Sequence, residues 1–177
     1  MDRSPKVATP LAACWVGVPP SVPPLGLLAI ATVTFVVLPG AMMRNAGLRF
    51  VCKWVDLRVE NPRTPFTTRC RAGEVLRLPI AHGEGNYVSL SRPEWVVLRY
   101  CDADGNLTDA ANPNGSQDCI AGVTNPHGNV FGLMPHPDRA SDARLGSADG
   151  AKIFQSMMET IVASRPISAP ERVAQVA

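Results

Sequence analysis

The stretch Gly132-Leu133-Met134-Pro135-His136-Pro137-Asp138-Arg139-Ala140 places a histidine between two prolines, directly after an apolar run and two residues before a carboxylate. Each proline fixes its own φ, removes a backbone donor and restricts the residue before it. That suits an imidazole held in one orientation at the end of a strand. A carboxylate at this spacing can reach the far ring nitrogen and set the tautomer, as a catalytic histidine–acid pair requires. Taken alone, the same residues describe a surface turn with an ordinary histidine, so the surrounding chain decides between the two.

The chain of 177 residues fits one domain with room for a core. Its 46% hydrophobic and 18% charged content belong to a soluble globular protein. A net charge of +2, from 17 basic and 15 acidic residues, implies no polyanionic partner. The basic residues are scattered and not interleaved with aromatics, so nucleic-acid binding is not indicated. The five cysteines, Cys14, Cys52, Cys70, Cys101 and Cys119, are widely spaced, odd in number and without a Cys-x-x-Cys pair. This disfavours a disulfide framework or a zinc site and fits reduced thiols in a cytoplasmic protein. His82, His127 and His136 lie far apart, each without a second ligand at metal spacing. No metal or cofactor site is expected in this chain.

Residues 1–37 differ from the rest. From Val7 to Met43 there is no charge, and Leu25 to Leu38 is a continuous apolar run bracketed by Pro23, Pro24 and Pro39. A membrane span needs about 20 residues, so this run is short for one. A signal peptide, with Arg3 and Lys6 ahead of the run, is broken by the prolines. By periodicity the run is equally a buried strand or helix. From Leu38 onward the pattern becomes regular. Val55, Leu57 and Val59 alternate with Asp56, Arg58 and Glu60, which predicts a half-buried strand ended by Asn61-Pro62. Further strands are expected over Glu74 to Ala81 and Trp95 to Tyr100, and a hairpin where Ile120 to Val123 and Val130 to Met134 flank Asn125-Pro-His-Gly-Asn129. Asn112-Pro-Asn-Gly115 is a turn by composition. Asp149 to Ala163 is an amphipathic helix: Ile153, Phe154, Met157, Met158, Ile161 and Val162 share a face expected to pack into the core, opposite Lys152, Gln155, Ser156 and Glu159. Residues 164–177 read as a flexible tail.

Several short motifs occur in order along the chain: Arg49-Phe-Val-Cys-Lys53, Leu57-Arg-Val-Glu-Asn61, Pro79-Ile-Ala-His-Gly-Glu-Gly-Asn-Tyr87, Arg99-Tyr-Cys-Asp-Ala-Asp-Gly105, Asn112-Pro-Asn-Gly-Ser116, Ile120-Ala-Gly-Val-Thr-Asn125, the His136 stretch and Leu145-Gly-Ser-Ala-Asp-Gly150. Together they resemble the glutaminase subunits of phosphoribosylformylglycinamidine synthases, a family of class I glutamine amidotransferases. The resemblance runs from about Leu38 to Ile161, placing the family domain over residues 38–163. It implies an α/β, flavodoxin-like domain, incomplete at its N-terminus. The implied function is release of ammonia from glutamine for a large synthetase subunit, with a small third subunit in the complex and with ATP and Mg bound by the synthetase. A cytoplasmic protein free of membrane and nucleic acid follows from the same resemblance.

The family's histidine and acid map onto His136 and Asp138, the acid being Asp where the family usually has Glu. The nucleophile is the sharp departure. In the family it stands in a Gly-x-Cys-Asn-Gly-Phe elbow shortly before the stretch that is Leu38-Pro-Gly-Ala41 here, and no cysteine lies between Cys14 and Cys52. The expected elbow is absent, the nucleophile is unassigned, and the chain reads alternatively as a catalytically inactive fragment that at most binds the synthetase. Cys14 is the first substitute to consider. His82 is either a rival base or a residue that structures its loop and lines the approach to a partner. Upstream coding DNA read out of its original frame, or from a misplaced start, would produce so abrupt a boundary before Leu38. Translating the region upstream of Leu38 in the other two frames tests this, and the expected outcome is a Cys-Asn-Gly elbow in one of them.

Overall fold

Alternating apolar and polar side chains set the long strands, and the ends of those strands position everything else. A computed structural model describes residues 38, 40–89 and 95–164. The expected atypical segment 1–37, with its apolar run and Cys14, lies outside the described residues, as does the expected tail beyond Ser164. The elements in order are β1 (Ala41–Met43), β2 (Val51–Val59), β3 (Val75–His82), β4 (Asn86–Val88), β5 (Val96–Cys101), β6 (Ile120–Thr124), β7 (Phe131–Leu133) and α1 (Gly150–Ser164), with short 3₁₀ turns between β5 and β6 and between β7 and α1. Five strands form one sheet in the order β3-β2-β5-β6-β7, while β1 and β4 pair separately. Every pairing among the described residues is antiparallel.

The predicted strands and hairpin are present. Val55, Leu57 and Val59 of β2 and Leu76, Leu78 and Ile80 of β3 point into one core, joined by Val97, Leu98 and Tyr100 of β5 and by Ile153 of α1. In β5 both faces are buried, as befits the central strand. The hairpin tip is tied by Asn125, whose Oδ1 accepts from the N–H groups of Asn129 and Val130, both at 3.0 Å. The predicted Asn112–Ser116 turn closes in the same way: Asn112 Oδ1 accepts from Ser116 N at 3.0 Å, and its Nδ2 donates to Ser116 O at 2.7 Å.

Strand β3 is an edge, and its outward backbone groups need partners. Pro79 lies within it, opposite Trp54 of β2, where the missing N–H belongs on the outer side of an edge strand. The Pro79 carbonyl accepts a hydrogen bond from His136 N at 2.9 Å. Two residues earlier, the outward Arg77 N–H donates to Asp149 Oδ2 at 3.0 Å. The segment from His136 to Asp149 thus lies along the sheet edge and leads straight into α1.

The helix corrects one expectation. Its buried residues are Gly150, Ile153 and Ser156, while Phe154, Met157, Met158, Ile161 and Val162 are exposed, Met158 at 62%. The methionine pair is therefore not core packing. Two contacts set the roll of the helix. At its start, a Cβ on Gly150 would lie 2.0 Å from the Pro137 carbonyl oxygen and 2.8 Å from that of Ala140, so only glycine permits this approach. One and a half turns on, Ser156 Oγ accepts from Arg69 N at 3.0 Å and donates to Lys152 O at 2.7 Å. Satisfying a buried backbone donor outweighs the apolar stripe in deciding which face turns inward.

Gly150→Ala is expected to destabilise the fold by about 1–3 kcal/mol through overpacking against the Pro137 turn. Met158→Ser is expected to change stability by less than about 0.5 kcal/mol. Urea unfolding of the two variants beside the parent chain checks both.

Candidate functional site

His136 sits at the entrance of a 3₁₀ turn, Pro137–Ala140, as its N-cap residue with an extended backbone. The turn is closed by Arg139 N donating to His136 O at 3.3 Å and by Ser141 Oγ donating to Asp138 O at 3.0 Å. The bond from His136 N to Pro79 O fixes the residue against β3, and buried Ala140 seats the turn on the core.

Asp138 lies beside the imidazole but not in hydrogen-bond contact. Its Oδ1 is 3.9 Å from His136 Nδ1, with the side chains 33% exposed for His136 and 66% for Asp138. That distance permits attraction to a protonated ring but lies beyond hydrogen-bond range. The tautomer-setting contact expected from the spacing is thus not made, because the short aspartate side chain leaves the tight turn toward solvent.

The structure brings His82 toward His136, which the sequence separates. His82 ends β3, and the His136 imidazole is close enough for its charge to act on it. Both His82 ring nitrogens are buried, and neither reaches a partner in hydrogen-bonding geometry. The ring is hemmed in by Gly85, where a Cβ would fall 2.1 Å from His82 Nε2 and 2.8 Å from Asn114 Nδ2. Burial holds the His82 pKa below its ordinary value of 6.5, the neighbouring Asn114 amide opposing this and the His136 charge adding to it. His127 stands apart, exposed at the tip of the β6–β7 hairpin.

Sequence reasoning missed the buried asparagines beneath this loop. Asn45, 1% exposed, donates from Nδ2 to Arg49 O at 2.8 Å and to His82 O at 2.9 Å, and accepts Gly85 N at 2.8 Å. Asn114 donates to the Tyr100 hydroxyl at 3.0 Å. Ser116 Oγ donates to Gly85 O at 3.0 Å and accepts from Tyr87 N at 3.2 Å. The Arg-Asn-Ala-Gly composition around Asn45 signals a turn, but nothing local shows that the turn reaches residues nearly 40 positions away.

An apolar cavity of about 270 Å³ opens beside the site, lined by Leu38, Gly40, Tyr87, Val123, Gly132 and Met134 among others. Its wall stops at Met134 and does not include His136 or Asp138. It offers apolar volume next to the histidine loop rather than groups that would hold a charged ligand. Three of the described thiols, those of Cys70, Cys101 and Cys119, are not primed as nucleophiles. Burial pushes the Cys70 and Cys101 thiols up to about 11 and raises that of Cys119. Cys52 is exposed on β2. Among the described residues no group of three or more His, Cys, Asp and Glu side chains could hold a metal ion, and no helix is long and apolar enough to cross a membrane.

With the folded His82 value below the unfolded one, the unfolded chain takes up its proton first as pH falls. The His82 contribution to stability is expected to be complete above pH 6.5 and to decline below it. Urea unfolding on either side of that pH, with a His82→Asn variant expected to show a shallower decline, measures the effect.

Residues 32–158 match the CobB/CobQ-like glutamine amidotransferase domain family. The chain is similar to the phosphoribosylformylglycinamidine synthase subunit PurQ of Moorella thermoacetica, 51% identical over 129 residues that cover 69% of this chain and 55% of the relative. It is 56% identical to the PurQ subunit of Pyrococcus horikoshii over 124 residues, again 69% of this chain and 55% of the relative. Among solved structures it resembles a chain of the PurLQS complex from Thermotoga maritima, with a TM-score of 0.62 and 50% identity over 70% of this chain and 54% of that one. The chain thus spans about half the length of the curated relatives it matches. The sheet with its helix and the family match agree, and this chain belongs to the CobB/CobQ-like glutamine amidotransferase domain family, with the α/β fold of the class I enzymes.

Proposed function

We propose that this chain provides the proton-transfer part of a glutaminase, the subunit that supplies ammonia from glutamine to phosphoribosylformylglycinamidine synthase in de novo purine biosynthesis. The observation that carries this reading is His136, tied by its backbone to Pro79 and flanked by Asp138, in a chain about half identical to PurQ subunits. In such a reaction a cysteine thiolate attacks the side-chain amide carbon of glutamine. His136 takes the thiol proton and passes it to the departing ammonia. Water then cleaves the thioester to give glutamate, with the same histidine as base. Asp138, drawn to the protonated imidazole, steadies the charge that forms there.

The partners in this reading are a large synthetase subunit and a small third subunit in the cytoplasm. ATP and Mg act on the synthetase, and this chain holds no cofactor. A second reading keeps the family role but not hydrolysis: the chain docks on the synthetase without cleaving glutamine. The raised pKa values of the Cys70, Cys101 and Cys119 thiols favour it. Hydrolysis needs a thiol other than these three, and Cys14, outside the described residues, is the first to test.

Glutamate release by the purified chain, with the synthetase and ATP present, separates the two. Release is expected to fall at least about a hundredfold in His136→Ala, the scale of a lost general base. A folded chain that binds the synthetase but releases no glutamate establishes the second reading. Independently of turnover, Asp138→Glu is expected to bring the carboxylate into hydrogen-bond range of Nδ1. The Nδ1 proton should then move downfield and exchange more slowly by NMR. An unchanged imidazole spectrum would mean that the turn, rather than side-chain length, sets the 3.9 Å gap.

A further inference from the structure

The end of β1 and the loop that leads to β2 turn their large apolar side chains into solvent. Leu48 is 78% exposed, Phe50 67% and Met43 53%. Interleaved with them are Arg44, Arg49 and Lys53, all exposed, and no acidic residue occurs from Met42 to Val55. A loose loop could explain such exposure, but this loop is pinned. Asn45 is buried under it and bonds Arg49 O, His82 O and Gly85 N, while its own backbone N–H donates to Gly83 O at 2.9 Å. Leu48 N donates to Asn45 O at 2.8 Å. Leu48 also has a φ of +52°, a left-handed conformation unfavourable for a leucine. A strained, anchored tip that presents leucine and phenylalanine to water is the mark of a surface meant to be covered.

We propose that Met43, Leu48 and Phe50, ringed by Arg44, Arg49 and Lys53, form the docking surface for the synthetase subunit, through an apolar recess on that partner bordered by carboxylates. This rests on the reading above that the chain serves a synthetase. Two observations choose this occupant. The patch is continuous with the site: Asn45 bonds Gly83, the Phe50 ring lies 4.0 Å from where a Gly83 Cβ would stand, and Gly83 follows His82. A protein seated here lies against the loop that follows His82, the residue the fold brings toward His136, and so borders the candidate site. The charges also argue against a second copy of this chain, because two such faces would oppose three cations to three cations.

The test is binding of the full-length chain to the synthetase subunit of its own organism, by titration calorimetry at low and raised salt. Thermal melts confirm that each variant is folded, as expected where the replaced side chains are exposed. Leu48→Asn, compatible with the left-handed backbone, and Phe50→Ser are each expected to weaken binding at least about tenfold, as for apolar anchors at the centre of an interface. Arg49→Glu with Lys53→Glu is expected to weaken it and to flatten its salt dependence. Met158→Ser, on the exposed face of α1, is the control and is expected to bind like the parent chain. If Leu48→Asn and Phe50→Ser bind as tightly as the parent, the surface is wrong while the partner reading stands. If Met158→Ser alone loses binding, the partner seats on α1 and the proposal fails. If the parent chain does not bind the synthetase at all, both the proposal and the functional reading beneath it fall. If sedimentation shows a dimer that Phe50→Ser dissociates, the face belongs to a second copy and the proposal is overturned.

Discussion

The hydrogen bond from His136 N to the Pro79 carbonyl is the contact on which the site depends. Strand β3 is an edge, and an edge strand with unsatisfied outward groups invites either water or another chain. Here the same polypeptide closes it. The Pro79 carbonyl takes the N–H of His136, and the Arg77 N–H reaches Asp149. Those two bonds align the whole His136–Asp149 segment with the sheet. Gly150 then lets α1 begin in contact with the Pro137 turn. The edge, the His136 loop and the helix are one construction, in which proline at 79 costs no ladder bond because its missing N–H belongs on the outer side.

A second set of buried polar contacts holds the other side of the site. Asn45 and Ser116 bind backbone groups of His82 and Gly85 from two different loops, and Asn114 carries the link to Tyr100. Such groups are costly to bury unless satisfied, so their presence shows how firmly the His82–Gly85 loop is specified. One consequence is that the His82 imidazole is pressed against Gly85 and Asn114, where burial disfavours its charged form. Another is that the β1–β2 loop above Asn45 cannot retreat, and its leucine and phenylalanine stay in solvent.

In the proposed glutaminase reading, the proton-transfer and nucleophilic halves of the chemistry stand in unequal states. His136 is anchored by its backbone, half shielded and accompanied by a carboxylate. The cysteines with displaced pKa values, Cys70, Cys101 and Cys119, lie on the side that suppresses thiolate, because burial penalises the charged form. The Asp138 gap is a smaller matter of the same kind: the charges are placed to attract, but the shorter side chain stops short of a hydrogen bond.

Much of the molecule was legible without coordinates. Alternation at Val55, Leu57 and Val59 marked β2, the turn residues between Ile120 and Met134 marked the β6–β7 hairpin, and the 3.6-residue period marked α1. These signals are local, since side-chain direction follows from backbone geometry over a few residues. The ordered motifs likewise pointed to the amidotransferase family. What local pattern could not contain was decided by partners distant in the chain. The apolar stripe of α1 was visible, but which face turned inward depended on Ser156 meeting the Arg69 N–H and on the room that Gly150 leaves at Pro137. The nearness of His82 to His136, the burial of Asn45 and the outward Leu48 follow from hydrogen bonds spanning up to about 40 residues, or across the sheet edge, and no periodicity records them. Sequence determined which elements form, because that is set by neighbours along the chain. Tertiary structure decided which groups meet, because buried donors and acceptors must find partners wherever the fold brings them.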